Sequence, residues 1–270
     1  MDLTAFTLEI KDHIAHVAFN RPEKRNSLHK EAWDEMRAVF EHCSHNPDVR
    51  VVVLSGKGKI FCAGIDVSLL MDMTQYQSHC ESRKREEFRH HLIKLQDDVS
   101  SLEKCQKPVI AAIHNACIGG GVDIISSCDM RFCTSDAYFS IKEVDMGLVA
   151  DIGTLQRLPK LISQGLMSEL AYTGRKMHAD EAQRSGLVNK VYQNKEEMMA
   201  AVMETARVIA DKSPVVIRGT KEMINYSRDH SVDESLHMMS IWNAAYIMSD
   251  DIKEAMTAYM EKRKPVYQEG

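Results

Sequence analysis

The sequence is short of the patterns that announce metal, redox, membrane or nucleic-acid chemistry. Its seven cysteines (Cys43, Cys62, Cys80, Cys105, Cys117, Cys128 and Cys133) form no Cys-x-x-Cys pair, and its twelve histidines include no His-Glu-x-x-His. His42-Cys43-Ser44-His45 has no second ligand cluster at zinc-site spacing, so no metal is expected. An odd set of cysteines in largely apolar stretches reads instead as reduced thiols of an intracellular protein. Six prolines and 13 glycines leave no room for a long disordered linker. No apolar run approaches the ~18 residues that a membrane span requires, which excludes membrane insertion through a helix. A net charge of −5 and a pI near 6.2 exclude a general basic field for nucleic acid. The basic run Arg83-Lys84-Arg85 is interleaved with Glu81, Glu86 and Glu87 and reads as a solvated helix face.

What is present is ordinary for a folded soluble chain: 270 residues, 44% hydrophobic and 27% charged, enough to bury a substantial core. Residues 7–19 read as a strand or hairpin around Lys11-Asp12. After the loop Asn20 to Asn26, Ser27 is placed to cap a helix to about residue 44, with Leu28, Trp33, Met36, Val39 and Phe40 on its inner face. The short apolar runs 51–54 and 109–113 have the character of strands covered on both faces, and 130–133, 138–140 and 187–192 are further strand candidates. This rhythm predicts an α/β core with mostly parallel pairing. From about residue 195 the pattern turns helical, with Pro214 after Ser213 at a first turn and a capping box at Ser231 and Glu234. We therefore expect a core over 1–194 that carries the site and a helical region over 195–270, part of whose apolar surface serves an oligomer interface. Gly56-Lys57-Gly58 follows a strand but lacks the rest of a nucleotide-phosphate loop.

Function is announced by a glycine triplet and three acids. Asp123 closes Gly119-Gly120-Gly121-Val122-Asp123, and Glu143 and Asp151 follow 20 and 8 residues further on. Amides at a Gly-rich helix start can hold a developing oxyanion, and carboxylates can move protons on and off carbon, so the set suits acid/base chemistry beside a carbonyl. Each acid alone has a plainer reading: Asp123 as a helix N-terminal charge, Glu143 as a surface residue beside Lys142, Asp151 as a cap.

Phe61-Cys62-Ala63-Gly64-Ile65-Asp66, Ile118-Gly119-Gly120-Gly121-Val122-Asp123, Cys128-Asp129-Met130-Arg131 and the stretch 143–159 resemble the enoyl-CoA hydratase/isomerase (crotonase) superfamily. Asn20-Arg21-Pro22, Gly186-Leu187-Val188 and Lys212-Ser213-Pro214 extend the resemblance over nearly the whole chain. Gly64-Ile65-Asp66, Lys142-Glu143-Val144-Asp145 and Ala150-Asp151-Ile152-Gly153 through Pro159 look most like its Δ3,5-Δ2,4-dienoyl-CoA isomerase branch, as does Ser227-Arg228-Asp229-His230-Ser231-Val232. Hydratases similar to this chain carry glycine in place of Asp151 and glutamate in place of Asp123.

The resemblance implies a spiral of ββα repeats with a C-terminal helical trimerisation region, a homo-trimer or hexamer, a CoA thioester as substrate and no cofactor. It implies isomerisation of 3,5-dienoyl-CoA to 2,4-dienoyl-CoA in fatty-acid β-oxidation, with Glu143 serving carbon 2, Asp151 serving carbon 6 and Asp123 as an orienting partner. It assigns the oxyanion hole to the amides of Ala63 and Gly120, and substrate binding to Arg25, Cys62, Ala63, Gly64, Ile65, Asp66 and Gly121. Leu69, Leu70, Met71 and Met73, in a helical stretch over 67–105, are open to acyl contact or to packing. A 2-enoyl-CoA hydratase and a non-catalytic binding scaffold are the competing readings. The family's habit points to the mitochondrion or the peroxisome, although neither terminus carries a transit-peptide or Ser-Lys-Leu address.

Overall fold

The computed structural model describes residues 1–72 and 80–268. Its strands are β1 (Phe6–Lys11), β2 (Ile14–Phe19), β3 (Val51–Gly56), β4 (Val109–Ile113), β5 (Ala116–Ile118), β6 (Met130–Thr134), β7 (Tyr138–Ser140), β8 (Met177–His178) and β9 (Lys190–Tyr192). The helices are α1 (Lys30–His45), α2 (Val67–Asp72), α3 (Glu81–Lys104), α4 (Gly120–Ser126), α5 (Thr154–Arg157), α6 (Gln164–Thr173), α7 (Ala179–Ser185), α8 (Lys195–Ala210), α9 (Pro214–Asp229), α10 (Val232–Tyr246) and α11 (Asp250–Glu261).

A six-stranded sheet runs in the order β1-β2-β3-β4-β6-β9. Only β1 is antiparallel: Asp12 and His13, at φ 51° and 62°, make the tight left-handed turn that folds it onto β2. The other neighbours pair in parallel, and their continuous apolar runs follow from cover on both faces. The period of two divides those faces. Val51, Val53, Ile110 and Ala112 pack against Met198, Val202 and Ala206 of α8. Val52, Leu54, Ala111 and Ile113 point to the main core, where α1 delivers Trp33, Met36, Val39 and Phe40 at three- and four-residue spacing.

Strands β3, β4 and β6 are each followed by a short segment that turns toward a second sheet, of order β5-β7-β8. β4 leads to β5 and β6 to β7, while a parallel bridge between Cys62 and Cys117 brings the segment after β3 alongside β5. That is the predicted ββα spiral, and it lays the segment after β3 beside β5 and β5 beside β7.

Three local expectations change. Helix α1 starts at Lys30 with His29 as its N-cap, because the Ser27 hydroxyl is donated to Asp66 at 3.1 Å. The stretch 187–192 is strand only from Lys190, since the Leu187 carbonyl accepts from Arg131 Nε and the Val188 amide donates to Ala182. The helical stretch over 67–105 is α2 and α3, with residues 73–79 outside the described residues.

The capping box at Ser231 and Glu234 and the Ser213 cap before Pro214 form as expected. Helix α9 is fastened by Lys221, whose buried ammonium donates to Asp129 Oδ2 at 2.7 Å and to the Lys107 carbonyl at 3.0 Å. Asp129 also accepts from the Val109 amide at the start of β4. Beyond α9 burial falls away: α10 buries none of its residues and α11 only Ala258. Replacing Lys221 with methionine removes the cation and leaves the partly exposed Asp129 carboxylate with the Val109 amide alone, a change whose upper limit is the cost of about 3–5 kcal/mol for breaking a fully buried pair from one side. We expect a loss of up to that amount in denaturant unfolding of Lys221→Met, with a much smaller loss in Lys253→Met, whose surface pair with Asp250 is a control.

Candidate active site

Sheet pairing brings the glycine triplet to Glu143. Ile118 pairs with Ser140 in the β5–β7 register, and the Gly119 amide donates to the Ser140 carbonyl at 2.9 Å. Three residues on, Glu143 lies in a 3-10 turn, Lys142–Met146, which Gly147 ends in the left-handed region. Its carboxylate turns back onto the triplet: a Cβ added at Gly119 would lie 3.1 Å from Glu143 Oε1. Gly119, at φ 52°, thus satisfies both a backbone conformation and a close approach. Glu143 Oε2 is buried and, among the described residues, has no hydrogen-bond partner. Burial above all, and then the charge of Asp123, push the Glu143 carboxyl up to about 7.

Asp123, in the first turn of α4, is 1% exposed. Its Oδ1 accepts from the Thr154 amide at 2.6 Å, a bond that draws the segment carrying Asp151 onto α4. Burial raises its pKa to about 6; the Thr154 hydrogen bonds oppose the rise and the Asp151 charge adds to it. Asp151 stands on the open side, between the buried Ala150 and Ile152, and its main-chain carbonyl accepts from Gln96 Nε2 at 2.7 Å. Partial desolvation raises its carboxyl too. The three acids of the sequence pattern therefore share one electrostatic field, in which their ionisations are coupled and full ionisation is disfavoured at neutral pH.

The facing wall is the segment 62–66. Gly64, at φ 86°, packs so closely that a Cβ would meet the Ile118 carbonyl at 2.8 Å. The triplet is equally crowded: a Cβ at Gly120 would meet Leu28 Cδ1 at 3.0 Å, and one at Gly121 would meet Cys62 Cβ at 3.1 Å. Protein atoms, rather than room for ligand, are thus the immediate reason for glycine at 120 and 121.

One assignment must be corrected. The Ala63 amide donates to the Arg25 carbonyl at 3.1 Å and is spent. Among the described residues, the amides of Ile65 and Gly120 donate to no protein acceptor. Ile65 is held by a parallel bridge to Leu28, through bonds from the Leu28 amide to the Gly64 carbonyl and from the Asp66 amide to the Leu28 carbonyl.

The other binding candidates divide. The Cys62 side chain is wholly buried, donates to the Asn26 carbonyl and has its thiol pushed up to about 12 by burial. The Asp66 carboxylate accepts from Arg21, Ser27 and Ser68, bonds that hold it well below the usual carboxylate range, so that side chain braces the loop. Arg25 is exposed in a left-handed conformation beside the same loop. Leu69 packs on the core, whereas the side chains of Leu70 and Met71, and the whole of Met73, lie outside the described residues. Asn26 was not foreseen as a site residue: buried at φ 53°, it donates through Nδ2 to the carbonyls of Lys57, Ile60 and Phe61 and accepts the Arg21 amide. Asparagine's tolerance of the left-handed region in a loop was its one sequence signal.

Residues 9–270 match the enoyl-CoA hydratase/isomerase family. The chain belongs to that family, and its fold is the crotonase fold. The chain is 50% identical over 253 residues to the mitochondrial Delta(3,5)-Delta(2,4)-dienoyl-CoA isomerase of Mus musculus, covering 93% of this chain and 77% of that protein. It is 44% identical over 254 residues to the peroxisomal Delta(3,5)-Delta(2,4)-dienoyl-CoA isomerase of Arabidopsis thaliana, covering 93% and 91%. A crystal structure of enoyl-CoA hydratase from Bacillus anthracis superposes with a TM-score of 0.89 at 29% identity, covering 99% of this chain and all of that one.

The raised Asp123 carboxyl has a consequence for stability. Below the ordinary value of 3.8 the group is protonated in both folded and unfolded chains and costs nothing; between 3.8 and about 6 the unfolded chain releases its proton while the folded one keeps it, so stability is lost across that window, and the loss is complete once pH has risen through about 6. The loss amounts to about 3 kcal/mol at one unit per 1.36 kcal/mol. We expect Asp123→Asn, which keeps an acceptor for Thr154, to be more stable than wild type above pH 7 by up to that amount, with the advantage vanishing below pH 4 in denaturant titrations at each pH.

Proposed function

We propose that this chain is a dienoyl-CoA isomerase that converts 3,5-dienoyl-CoA to 2,4-dienoyl-CoA in fatty-acid β-oxidation. The observation that carries the reading is the meeting of three coupled carboxyls, with Glu143 poised near neutrality and its Oε2 unpartnered, beside two unspent main-chain amides. The names borne by the relatives from mouse and Arabidopsis support the same reaction.

The reaction moves a proton from carbon 2 to carbon 6 through a dienolate. Glu143, titrating near 7, is suited to accept the carbon 2 proton, since a base works best with a pKa close to the working pH. The negative charge that forms on the thioester oxygen is held by the amides of Gly120 and Ile65, the latter in place of Ala63. Asp151, on the open side and already shifted toward its neutral form, gives its proton to carbon 6; an acyl chain lying over it removes more water and strengthens that shift. Asp123 keeps the field negative and ties the Asp151 segment in place. Arg25 serves the CoA phosphates at the mouth, and Gly64, Ile65 and Asp66 line the path with main chain.

The apolar side chains exposed on the last two helices, including Leu236, Ile241, Tyr246, Met256 and Tyr259, support assembly with further copies as a trimer or hexamer. The compartments named for the relatives support a mitochondrial or peroxisomal setting.

Purified protein mixed with a 3,5-dienoyl-CoA should develop the ultraviolet band of the 2,4-dienoyl thioester, with little hydration of a 2-enoyl-CoA measured alongside. Hydration without that band would move the chain to the hydratases. Glu143→Gln and Asp151→Asn should each lower kcat by about 10²–10⁴-fold with the fold intact. In wild type, kcat/KM should rise through about pH 7 as Glu143 ionises, and Glu143→Gln should lose that limb.

A further inference from the structure

Asp151 has to act at a defined carbon, yet it stands on a short, open segment with a glycine two residues on. What holds that segment lies behind it. Gln96, Ser100 and Glu103 recur at four and three residues along α3, which puts them on one face of that helix. The three side chains reach the segment in turn. Gln96 Nε2 donates to the Asp151 carbonyl at 2.7 Å. Ser100 Oγ accepts from Arg157 Nη2 at 2.9 Å, and Glu103 Oε2 accepts from Arg157 Nη2 and Nε at 3.1 and 3.3 Å.

Arg157 is the other jaw. Its guanidinium folds back over Gly153, so that a Cβ there would fall 1.9 Å from Arg157 Nη1; Gly153 itself sits at φ 138°. Glu103 Oε1 accepts a second guanidinium, that of Arg228. The Glu103 carboxylate is therefore sandwiched between two arginines, and its side chain and that of Arg157 are 17% and 13% exposed. Arg228 belongs to the Ser227 to Val232 stretch that marked the isomerase branch in sequence and that the chemistry above leaves unused.

Resting on the isomerase reading, we propose that Glu103, Arg157 and Gln96 are positioning residues for Asp151, with Arg228 of α9 bracing Glu103 from behind. They touch no reacting atom. Glu103 sets the Arg157 fork, the fork fixes the Gly153 turn, and Gln96 fixes the main chain of Asp151 itself. Glu143 and the amides of Gly120 and Ile65 hang from other elements, so the clamp serves the second proton transfer and not the first.

That division makes the test. In Glu103→Gln and Gln96→Ala, isomerisation of a 3,5-dienoyl-CoA is followed by the conjugated-thioester band, and exchange of the carbon 2 protons with deuterated water is followed on the same substrate by NMR. We expect kcat for isomerisation to fall about 10–100-fold in Glu103→Gln, the usual cost of displacing a catalytic group by about an ångström, and by less in Gln96→Ala. KM and carbon 2 exchange should stay within about twofold of wild type, as set by the intact first half-site. Glu103→Asp, which keeps the charge but shortens the reach, should recover only part of kcat. Unchanged kcat in both folded variants overturns the clamp, as does a parallel loss of isomerisation and exchange. Should Glu103→Gln fail to fold, Gln96→Ala decides, since it removes one half-buried surface amide. A wild-type enzyme that exchanges or hydrates but never isomerises overturns the functional reading itself, which separates that failure from failure of the clamp.

Discussion

The hydrogen bond from the Thr154 amide to the buried Asp123 carboxylate is the contact on which the site depends. It answers two separate needs. Asp123 is taken out of water inside α4, where an unpaired carboxylate would cost several kcal/mol. Thr154 opens a four-residue helix whose N-cap, Gly153, offers no side chain to the orphan amides. So short a helix does not hold itself. Each element supplies what the other lacks, and the segment bearing Asp151 is carried to Asp123 and Glu143 as a result.

That economy leaves the acids unfavourably close. Three carboxyls with raised pKa values destabilise the folded chain near neutrality, as active sites commonly do. The same crowding is what gives the chemistry its two ends. A group near 7 can take a proton from carbon, and a neighbour whose neutral form is favoured can return one elsewhere, because ionising one acid raises the cost of ionising the next. Aspartate at 123, one methylene shorter than glutamate, reaches the Thr154 amide and stays buried in the first turn of α4.

How much of this the sequence disclosed depended on whether a feature was local. The runs 51–54 and 109–113 were legible as buried strands because cover on both faces leaves no polar alternation, and the Ser231 capping box was legible because all its parts lie within one turn. The acids' spacing pointed to a site. Their meeting, through the β5–β7 register and the Thr154 bond, is a property of pairing that no spacing displays. Ser27 looked like a helix cap until Asp66, 39 residues on, took its hydroxyl. Ala63 matched a motif for an oxyanion donor, but its amide is committed to Arg25, in a loop nearly 40 residues earlier. Asn26 carries little signal in sequence because a lone asparagine in a loop is common, and its three carbonyl acceptors come together only on folding.

Helix α9 joins two parts of the molecule that sequence treats as separate. Lys221 fixes it to the start of β4, and Arg228, two turns further along, fixes it to Glu103 behind the Asp151 segment. Helix α10 packs back along α9, with Trp242 against Gly219, and α11 reaches its start, where the Ser213 hydroxyl is donated to Asp251. Cover on those helices therefore bears on α9, which Lys221 joins to β4 and Arg228 joins to Glu103 behind the Asp151 segment. Coupling through packed and paired elements of this kind needs a second stable arrangement before it can act as a switch. A lysine that donates to Asp129 and to the carbonyls of Lys107 and Leu102, and a glutamate gripped by two guanidiniums, favour a single arrangement, so covering the C-terminal helices should stiffen the Asp151 segment rather than regulate it.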